Sequence, residues 1–273
     1  MDIPFTKMHG LGNDFVVLEN PPTLSGALIR AMADRRTGIG FDQALIIEPK
    51  RRPDSDFYYR IFNADGGEVE QCGNGARCLA YWHSRQVKQF NHLWRMDSPA
   101  GVMLGTSDES GHARVAMGIP TFAPAAIPFV ADVEQASYAI DIGTETLHLS
   151  VASMGNPHGV LWVDDVATAP VATVGALLES HPRFPQRANI GFMQLIDRHH
   201  IKLRVYERGV GETQACGTGA CAAVAIGRRL GKLADSVTVE LPGGQVIIDW
   251  PDTHQTLWLS GPATWVFHGF WRT

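Results

Sequence analysis

Two short stretches of the chain, Phe57 to Phe62 and Ile201 to Tyr206, have the apolar, aromatic and β-branched make-up of strands. Each leads into a glycine-rich loop carrying a cysteine, Cys72 in the first and Cys216 in the second, and each loop leads into a helical stretch. The helix after Cys216 reads Ala220-Cys221-Ala222-Ala223-Val224-Ala225-Ile226, apolar all round, which is the pattern of a helix buried on every side. A sheet must wrap around it. The helix after Cys72 is more amphipathic, and its Arg77, His83 and Arg85 are expected to reach solvent. Pro242 to Gly244 reads as a hairpin turn.

The likeness of these two stretches extends to an internal repeat. Shifted by 144 places, residues 60 to 76 fall on 204 to 220 with seven identities: Arg60, Gly67, Glu68, Cys72, Gly73, Gly75 and Ala76. At a shift of 143, Gly12-Asn13 falls on Gly155-Asn156 and Val17-Leu18 on Val160-Leu161. The simplest reading is two homologous halves, meeting near Gly118-Ile119-Pro120 where a Pro- and Ala-rich stretch opens. We expect a first domain of residues 1–118 joined by residues 262–273, which lie beyond the second copy, and a second domain of residues 119–261.

Composition narrows the function. With 273 residues, 45% hydrophobic and 19% charged, the chain is globular and long enough for one large domain or two ordinary ones. A net charge of −5 without a long basic run leaves no electrostatic footprint for nucleic acid or an anionic membrane, so a small-molecule partner is expected. Met1 to Phe15 carries charges and glycines where a signal peptide needs a basic start and an apolar run, and no stretch has the apolar length of a membrane span. The reading is a cytoplasmic protein. Four cysteines are too sparse for a disulfide framework.

The matched cysteines therefore invite a chemical reading. An arbitrary cysteine is commonly a small buried hydrophobe, and Cys78 and Cys221, inside the helices, are read that way. Cys72 and Cys216 instead precede Gly-x-Gly at a helix start, where unsatisfied N–H groups and the helix dipole are expected to lower the thiol pKa and to form an anion site. The glycines would let a ligand approach the backbone, a weak signal singly and a stronger one repeated. Two halves joined face to face would bring both sulfurs and both helix ends to one cleft. Inverting a carbon stereocentre needs a base on one face and an acid on the other, with roles exchanged in reverse, and a symmetric cysteine pair supplies both. Charge developing on the substrate carboxylate would meet helix N–H groups. No lysine lies near either motif, no Cys/His metal spacing occurs and no dinucleotide fingerprint follows a strand, so neither cofactor nor metal is implied.

Several long motifs then resemble one family, diaminopimelate epimerase, in its order and along essentially the whole chain. They are Lys7-Met8-His9-Gly10-Leu11-Gly12-Asn13-Asp14-Phe15, Phe41-Asp42-Gln43, Phe62-Asn63-Ala64-Asp65-Gly66 and Gln71-Cys72-Gly73-Asn74-Gly75-Ala76-Arg77-Cys78. The second half adds Gly155-Asn156-Pro157-His158, Asn189-Ile190-Gly191-Phe192 and the run from Glu207-Arg208-Gly209 to Cys216-Gly217-Thr218-Gly219. The resemblance implies an α/β (α+β) protein of two pseudo-symmetric duplicated domains, each a curled, mostly antiparallel sheet around a central helix, with the site in the cleft between them. It implies a cofactor-independent enzyme that interconverts LL- and meso-diaminopimelate on the route to lysine and peptidoglycan, and a homodimer. By the same resemblance Cys72 and Cys216 are the acid/base pair, and His158 and Glu207 are their proton-managing partners. Asn74, Thr218 and the backbone of Gly73 and Gly217 cradle the reacting carboxylate. Asn63, Asn189 and Arg208, with the backbone of Glu207, clamp the distal amino-acid end, and Asn13, Gln43 and Asn156 complete the lining. A guanidinium suits that clamp because its planar fork can bond both carboxylate oxygens. His9 and Asp14 are read only as shaping the first strand's approach. The alternatives are a proline racemase-like or phenazine-biosynthesis-like isomerase of the same fold, which would have no use for Arg208 with Asn63 and Asn189, a cysteine hydrolase, which would leave the duplication unexplained, and a binding module without turnover.

Overall fold

The computed structural model describes residues 2–69 and 72–272; Gln71, the first residue of the motif around Cys72, lies outside them. The chain divides into two compact units, Met1–Ala116 with Ser260–Thr273 and Met117–Leu259.

The first unit opens with an antiparallel hairpin of β1 (Asp2–Gly10) and β2 (Asn13–Glu19), closed at Leu11 and Gly12, both in the left-handed region. Helix α1 (Gly26–Ala33), capped by Ser25, crosses to β3 (Gln43–Glu48), which runs parallel to β2. Strand β4 (Phe57–Asn63) returns antiparallel to β3, and the two-residue β5 (Glu68–Val69) turns back along it toward Cys72. The helix α2 (Gly73–Val87) follows, then β6 (Trp94–Ser98), parallel to β4, and the antiparallel β7 (Gly101–Ser107) and β8 (His112–Gly118).

The second unit repeats that order. A short β9 (Tyr138–Asp141) precedes the hairpin β10 (Thr146–Ser153) and β11 (Pro157–Trp162), followed by α3 (Val171–Glu179) and β12 (Asn189–Asp197), parallel to β11. Then come β13 (His200–Glu207), the two-residue β14 (Gly211–Glu212), α4 (Gly217–Arg229), β15 (Ser236–Leu241) parallel to β13, and β16 (Gly244–Asp249), joined to β15 by the turn at Pro242-Gly243. Strand β17 (Leu257–Pro262) leads to β18 (Thr264–Arg272), which pairs antiparallel with β1. This is a mixed α/β fold with duplicated halves, in which most strand pairs are antiparallel.

Helix α2 packs on β1, β2 and β7, and α4 packs on the equivalent β10, β11 and β16 as well as β12. The strands between are buried on both faces, which is why they read as continuous apolar runs rather than as alternation. Val16, Leu18, Ala44 and Ile46 pack with Ile29 and Met32 of α1, while Phe15 and Leu45 on the other face touch α2 at Gly75. In the second unit Leu149, Val151, Ile190 and Phe192 pack with Val174 and Leu178 of α3. The apolar helix α4 is buried from Gly219 through Gly227, as its composition requires.

The expectation that Arg77 reaches solvent is corrected: it is wholly buried. Gly10 leaves the room, since a Cβ there would sit 3.1 Å from Arg77 Nη2. His83 is half-buried and Arg85 is exposed, its guanidinium 4.8 Å above the Trp265 ring. The repeat's two charged identities also acquire a cause. Arg60 grips Glu68 by Nε and Nη2, each at 2.7 Å, and Arg204 grips Glu212 the same way at 2.6 and 2.8 Å. Each fork fastens the two-residue strand that delivers its cysteine. Among the described residues no helix is long and apolar enough to cross a membrane.

Candidate active site

Both cysteines occupy the same local position. Cys72 is the N-cap of α2 and Cys216 the N-cap of α4, each in extended backbone, with its carbonyl accepting from Ala76 N at 2.9 Å and Ala220 N at 3.0 Å respectively. The N–H of Gly75 donates to Cys72 Sγ at 3.4 Å, and that of Gly219 reaches Cys216 Sγ. A helix start has donors to spare, and here one of them faces sulfur. The second glycine of each motif serves packing: a Cβ on Gly75 would meet Leu45 at 3.0 Å, and one on Gly219 would meet Val205 at 3.0 Å and Cys216 Sγ at 3.2 Å.

In the first unit the β1–β2 turn brings Asn13 to the start of α2. The Cys72 thiol donates to Asn13 Oδ1 at 3.8 Å, and Asn74 Nδ2 donates to the same oxygen at 3.2 Å. Gln43 at the start of β3 pairs with Asn63 at the end of β4, Gln43 Nε2 donating to Asn63 Oδ1 at 2.9 Å. Gln43 Oε1 is buried and takes no hydrogen bond from the described residues. Asn13, Asn74 and Cys72 thus form one cluster, and Gln43 with Asn63 a second.

In the second unit a chain of polar groups leads to the sulfur. His158 Nε2 meets Asn156 Oδ1 at 3.0 Å, Asn156 Nδ2 donates to Thr218 Oγ1 at 3.4 Å, and Thr218 Oγ1 lies 3.7 Å from Cys216 Sγ. His158 is buried, and that burial, with the positive charge of Arg208, lowers its pKa to about 3. It is therefore neutral, with Nε2 carrying the proton that Asn156 Oδ1 accepts. Glu207 interacts with the Cys216 thiol and accepts from the Thr213 hydroxyl; burial raises its pKa above the ordinary glutamate value.

The expectation of a lowered thiol pKa is corrected at Cys216. Burial pushes this thiol well above its ordinary value and the Glu207 charge adds to the effect, so the N–H of Gly219 and the hydroxyl of Thr218 are outweighed. Burial likewise raises Cys78 to about 12, in keeping with a packing role. All four cysteines are thiols.

Arg208 stands exposed at the end of β13, in a loop held from three directions. Its backbone N–H donates to Asn189 Oδ1 at 2.9 Å, and its Nη1 donates to the Gln186 carbonyl at 3.2 Å. Asn189 in turn donates to the Pro157 carbonyl at 3.4 Å. The third hold comes from a residue that sequence reasoning missed: buried Glu179, at the end of α3, accepts from Gly209 N at 2.9 Å and from Arg187 Nη2 at 2.6 Å. Thr213 and Asp42 were missed too, although both lie inside motifs quoted above. The partners of Glu179 and Asp42, Gly209 and Asn13, lie 30 and 29 positions away.

Chemically, each half offers a thiol at a helix start with N–H donors around it, and the second adds an exposed guanidinium on a braced loop. Among the described residues no three His, Cys, Asp or Glu side chains group so as to hold a metal ion.

Comparison with known proteins follows the same lines. The family model described as diaminopimelate epimerase matches residues 5–123 and 150–266, one stretch in each half. Among solved structures, a protein described as a predicted epimerase from Pseudomonas aeruginosa superposes with a TM-score of 0.73 at 16% identity, over 99% of both chains. A hydroxyproline epimerase from Agrobacterium vitis gives a TM-score of 0.71 at 12% identity, over 98% of this chain and 92% of that one. A phenazine biosynthesis protein of the PhzF family from Bacillus anthracis gives 0.70 at 16%, over 100% of both. At such identities these structures share the fold.

Proposed function

The chain belongs to the diaminopimelate epimerase family, and from that premise we propose that it interconverts LL- and meso-diaminopimelate by direct proton transfer, with Cys72 and Cys216 as the acid/base pair. The observation that carries this reading is the repeated placement of the two thiols, each the N-cap of the helix at the heart of its own half. A one-base enzyme has no need of the second copy.

One thiolate removes the α-proton, the α-carbon becomes planar as charge moves onto its carboxylate, and the other thiol returns a proton to the opposite face. The first N–H groups of α2 and α4 suit that carboxylate, because unpartnered donors at a positive helix end stabilise developing negative charge. Cys216, whose pKa is raised by burial, enters as the protonated partner. In the reverse direction it must first lose its proton, and Glu207, itself of raised pKa and beside the sulfur, is the group placed to take it. Neutral His158 keeps the Asn156–Thr218 chain in one sense, so that the groups facing Cys216 hold fixed donor and acceptor roles.

The distal end of the substrate carries a second carboxylate and a second ammonium. The Arg208 guanidinium suits the former, and the buried acceptor Gln43 Oε1, backed by Asn63, suits the latter. A cyclic monocarboxylic substrate would leave these groups idle.

The test is incubation of LL-diaminopimelate in heavy water without added cofactor, following chirality and deuterium at the α-carbons. Label at one centre with inversion is the expected result. Racemisation of proline without action on diaminopimelate would replace this substrate by the other, and no exchange at all would remove the enzymatic reading.

A further inference from the structure

Beside Cys72 lies a charge network that the reaction as described does not use. Asp14 on β2 receives Lys7 Nζ, which also bonds the Gly40 carbonyl, and it takes a fork from Arg35, whose Nη2 lies 2.7 Å from Asp14 Oδ1 and whose Nη1 lies 3.1 Å from Asp14 Oδ2. Burial alone would raise the Asp14 carboxyl, but Arg35 and Lys7 hold its pKa down at about 2. The same Arg35 Nη2 reaches Asp42 Oδ1 at 2.7 Å, and the N–H of Asp14 donates to Asp42 Oδ2 at 3.1 Å. Asp42 Oδ2 then accepts from Asn13 Nδ2 at 2.9 Å. The line of contacts therefore runs from two fixed cations, through two carboxylates, into the amide that faces the Cys72 thiol.

We infer that Asp42 is a positioning residue for Cys72: by accepting only, it fixes which end of the Asn13 side chain faces the sulfur. The two ends of a side-chain amide have nearly the same shape, so packing alone does not choose between them, whereas hydrogen-bond partners do. A carboxylate has no proton to give and selects the NH2 end of Asn13. Oδ1 is thereby left for Asn74 Nδ2 and the Cys72 thiol, and both point to it. An oxygen held against sulfur favours the protonated thiol and aims its hydrogen. An NH2 group in its place would favour the thiolate and aim nothing.

The asymmetry is removed by taking the acceptor away. An amide at position 42 would keep its oxygen toward Asn13, because the Asp14 N–H donates to the same Oδ2. In Asp42→Ala neither oxygen is left, and the Asn13 amide is free to turn over and present NH2 to Cys72. Since one such exchange is worth about 0.5–1.5 kcal/mol, alkylation of Cys72 by iodoacetamide at neutral pH is expected to accelerate about three- to tenfold. The inference rests on Cys72 as a proton-transfer thiol, and the experiment separates the two claims because alkylation needs no turnover.

The rate at Cys72 is read by peptide mass spectrometry in the wild type, Asp42→Ala, Asn13→Ala and the double variant, alongside kcat and KM for diaminopimelate in each direction. Asp42→Ala is expected to speed alkylation and to lower kcat in the direction that uses Cys72 as the acid, with KM within about twofold, while the double variant matches Asn13→Ala alone because Asp42 acts only through Asn13. Asp42→Ser, which also frees the amide, gives the same comparison if the Ala variant does not fold. Unchanged alkylation in a folded variant, or effects of the two substitutions that multiply, would overturn the inference. A wild type inert toward diaminopimelate that shows the full alkylation pattern would sink the proposed reaction and leave the positioning role standing.

Discussion

Replacing either Cys72 or Cys216 by alanine is expected to reduce interconversion to background in both directions, since in the proposed reaction each turnover uses one thiol as base and the other as acid. Serine replacements should be nearly as severe, because a hydroxyl is far too weak an acid near neutral pH. A chiral assay on either variant that returned normal turnover would end the two-cysteine mechanism. At the other end of the substrate, Arg208→Ala removes a charged hydrogen-bond partner worth about 1.5–3 kcal/mol, so kcat/KM should fall about ten- to a hundredfold in a folded protein. Unaltered kinetics would mean that the distal carboxylate is held elsewhere. His158 makes a prediction about pH. Its folded pKa of about 3 lies below the ordinary histidine value of 6.5, so the unfolded chain takes up a proton in that interval and the native chain does not. The stability it contributes is present above about 6.5 and is lost as the pH falls toward 3. Denaturation midpoints across that window should decline in the wild type and decline less in His158→Gln; equal slopes would count against the buried neutral imidazole. At this scale the sequence located both thiols and misjudged the state of one. A helix start is visible in Cys-Gly-x-Gly, but the burial that raises Cys216 is set by tertiary packing that the motif does not contain. Asp42 was out of reach for the same reason, lying 2.9 Å from Asn13 but 29 positions from it.

The elements that carry the cysteines depend on small fastenings. Strands β5 and β14 are two residues long, and the forks from Arg60 and Arg204 add side-chain holds to their backbone pairing with β4 and β13. Arg204 also donates to the carbonyls of Val166 at 2.9 Å and Ala167 at 3.3 Å, tying the approach to α3 to the same point. Arg204→Met should therefore cost about 1 to 2 kcal/mol, a drop of roughly 2 to 4 °C in Tm by scanning calorimetry. A Tm within a degree of wild type would show that β14 is held by its backbone alone. Strand β18 presents a different case. Val266, Phe267 and Phe270 are 50%, 47% and 66% exposed along it, and an apolar strand exposed in this way suits an interface. We infer that the homodimer implied by the family resemblance forms through this strand, and that Phe270→Glu weakens it at least about tenfold, read as a loss of dimer mass in sedimentation velocity. A wild type that sediments as a monomer at all concentrations would refute it. Strand and helix positions around each cysteine were legible because an aromatic and β-branched run changing to a glycine loop is a local signal. The solvent-facing side of α2 was not, since the room for Arg77 is made by Gly10, on another strand.

At the scale of the molecule the repeat was the strongest signal in the chain, and it was visible because the same contacts are made twice. The Arg–Glu forks, the glycines under the helices and the cysteine caps each demand the same residue in both halves. Where the halves differ, the demands differ: Asn74 stands where Thr218 does and Asn63 where Glu207 does, and the Cys72 sulfur has the amides of Asn13 and Asn74 near it while Cys216 has the Glu207 carboxyl and the Thr218 hydroxyl. The pairing of β1 with β18 has an outcome for how the protein is made. Asp2 lies opposite Arg272 and Thr6 opposite His268, among the longest sequence separations the chain can form. Contacts of that span close late, because the intervening loop entropy must be met before they stabilise anything. On the ribosome, β1 therefore emerges first and waits for its neighbour through the synthesis of an entire second unit, with one edge of its hairpin unpaired and open to pairing with another nascent chain. The half that is translated first is the half that finishes folding last.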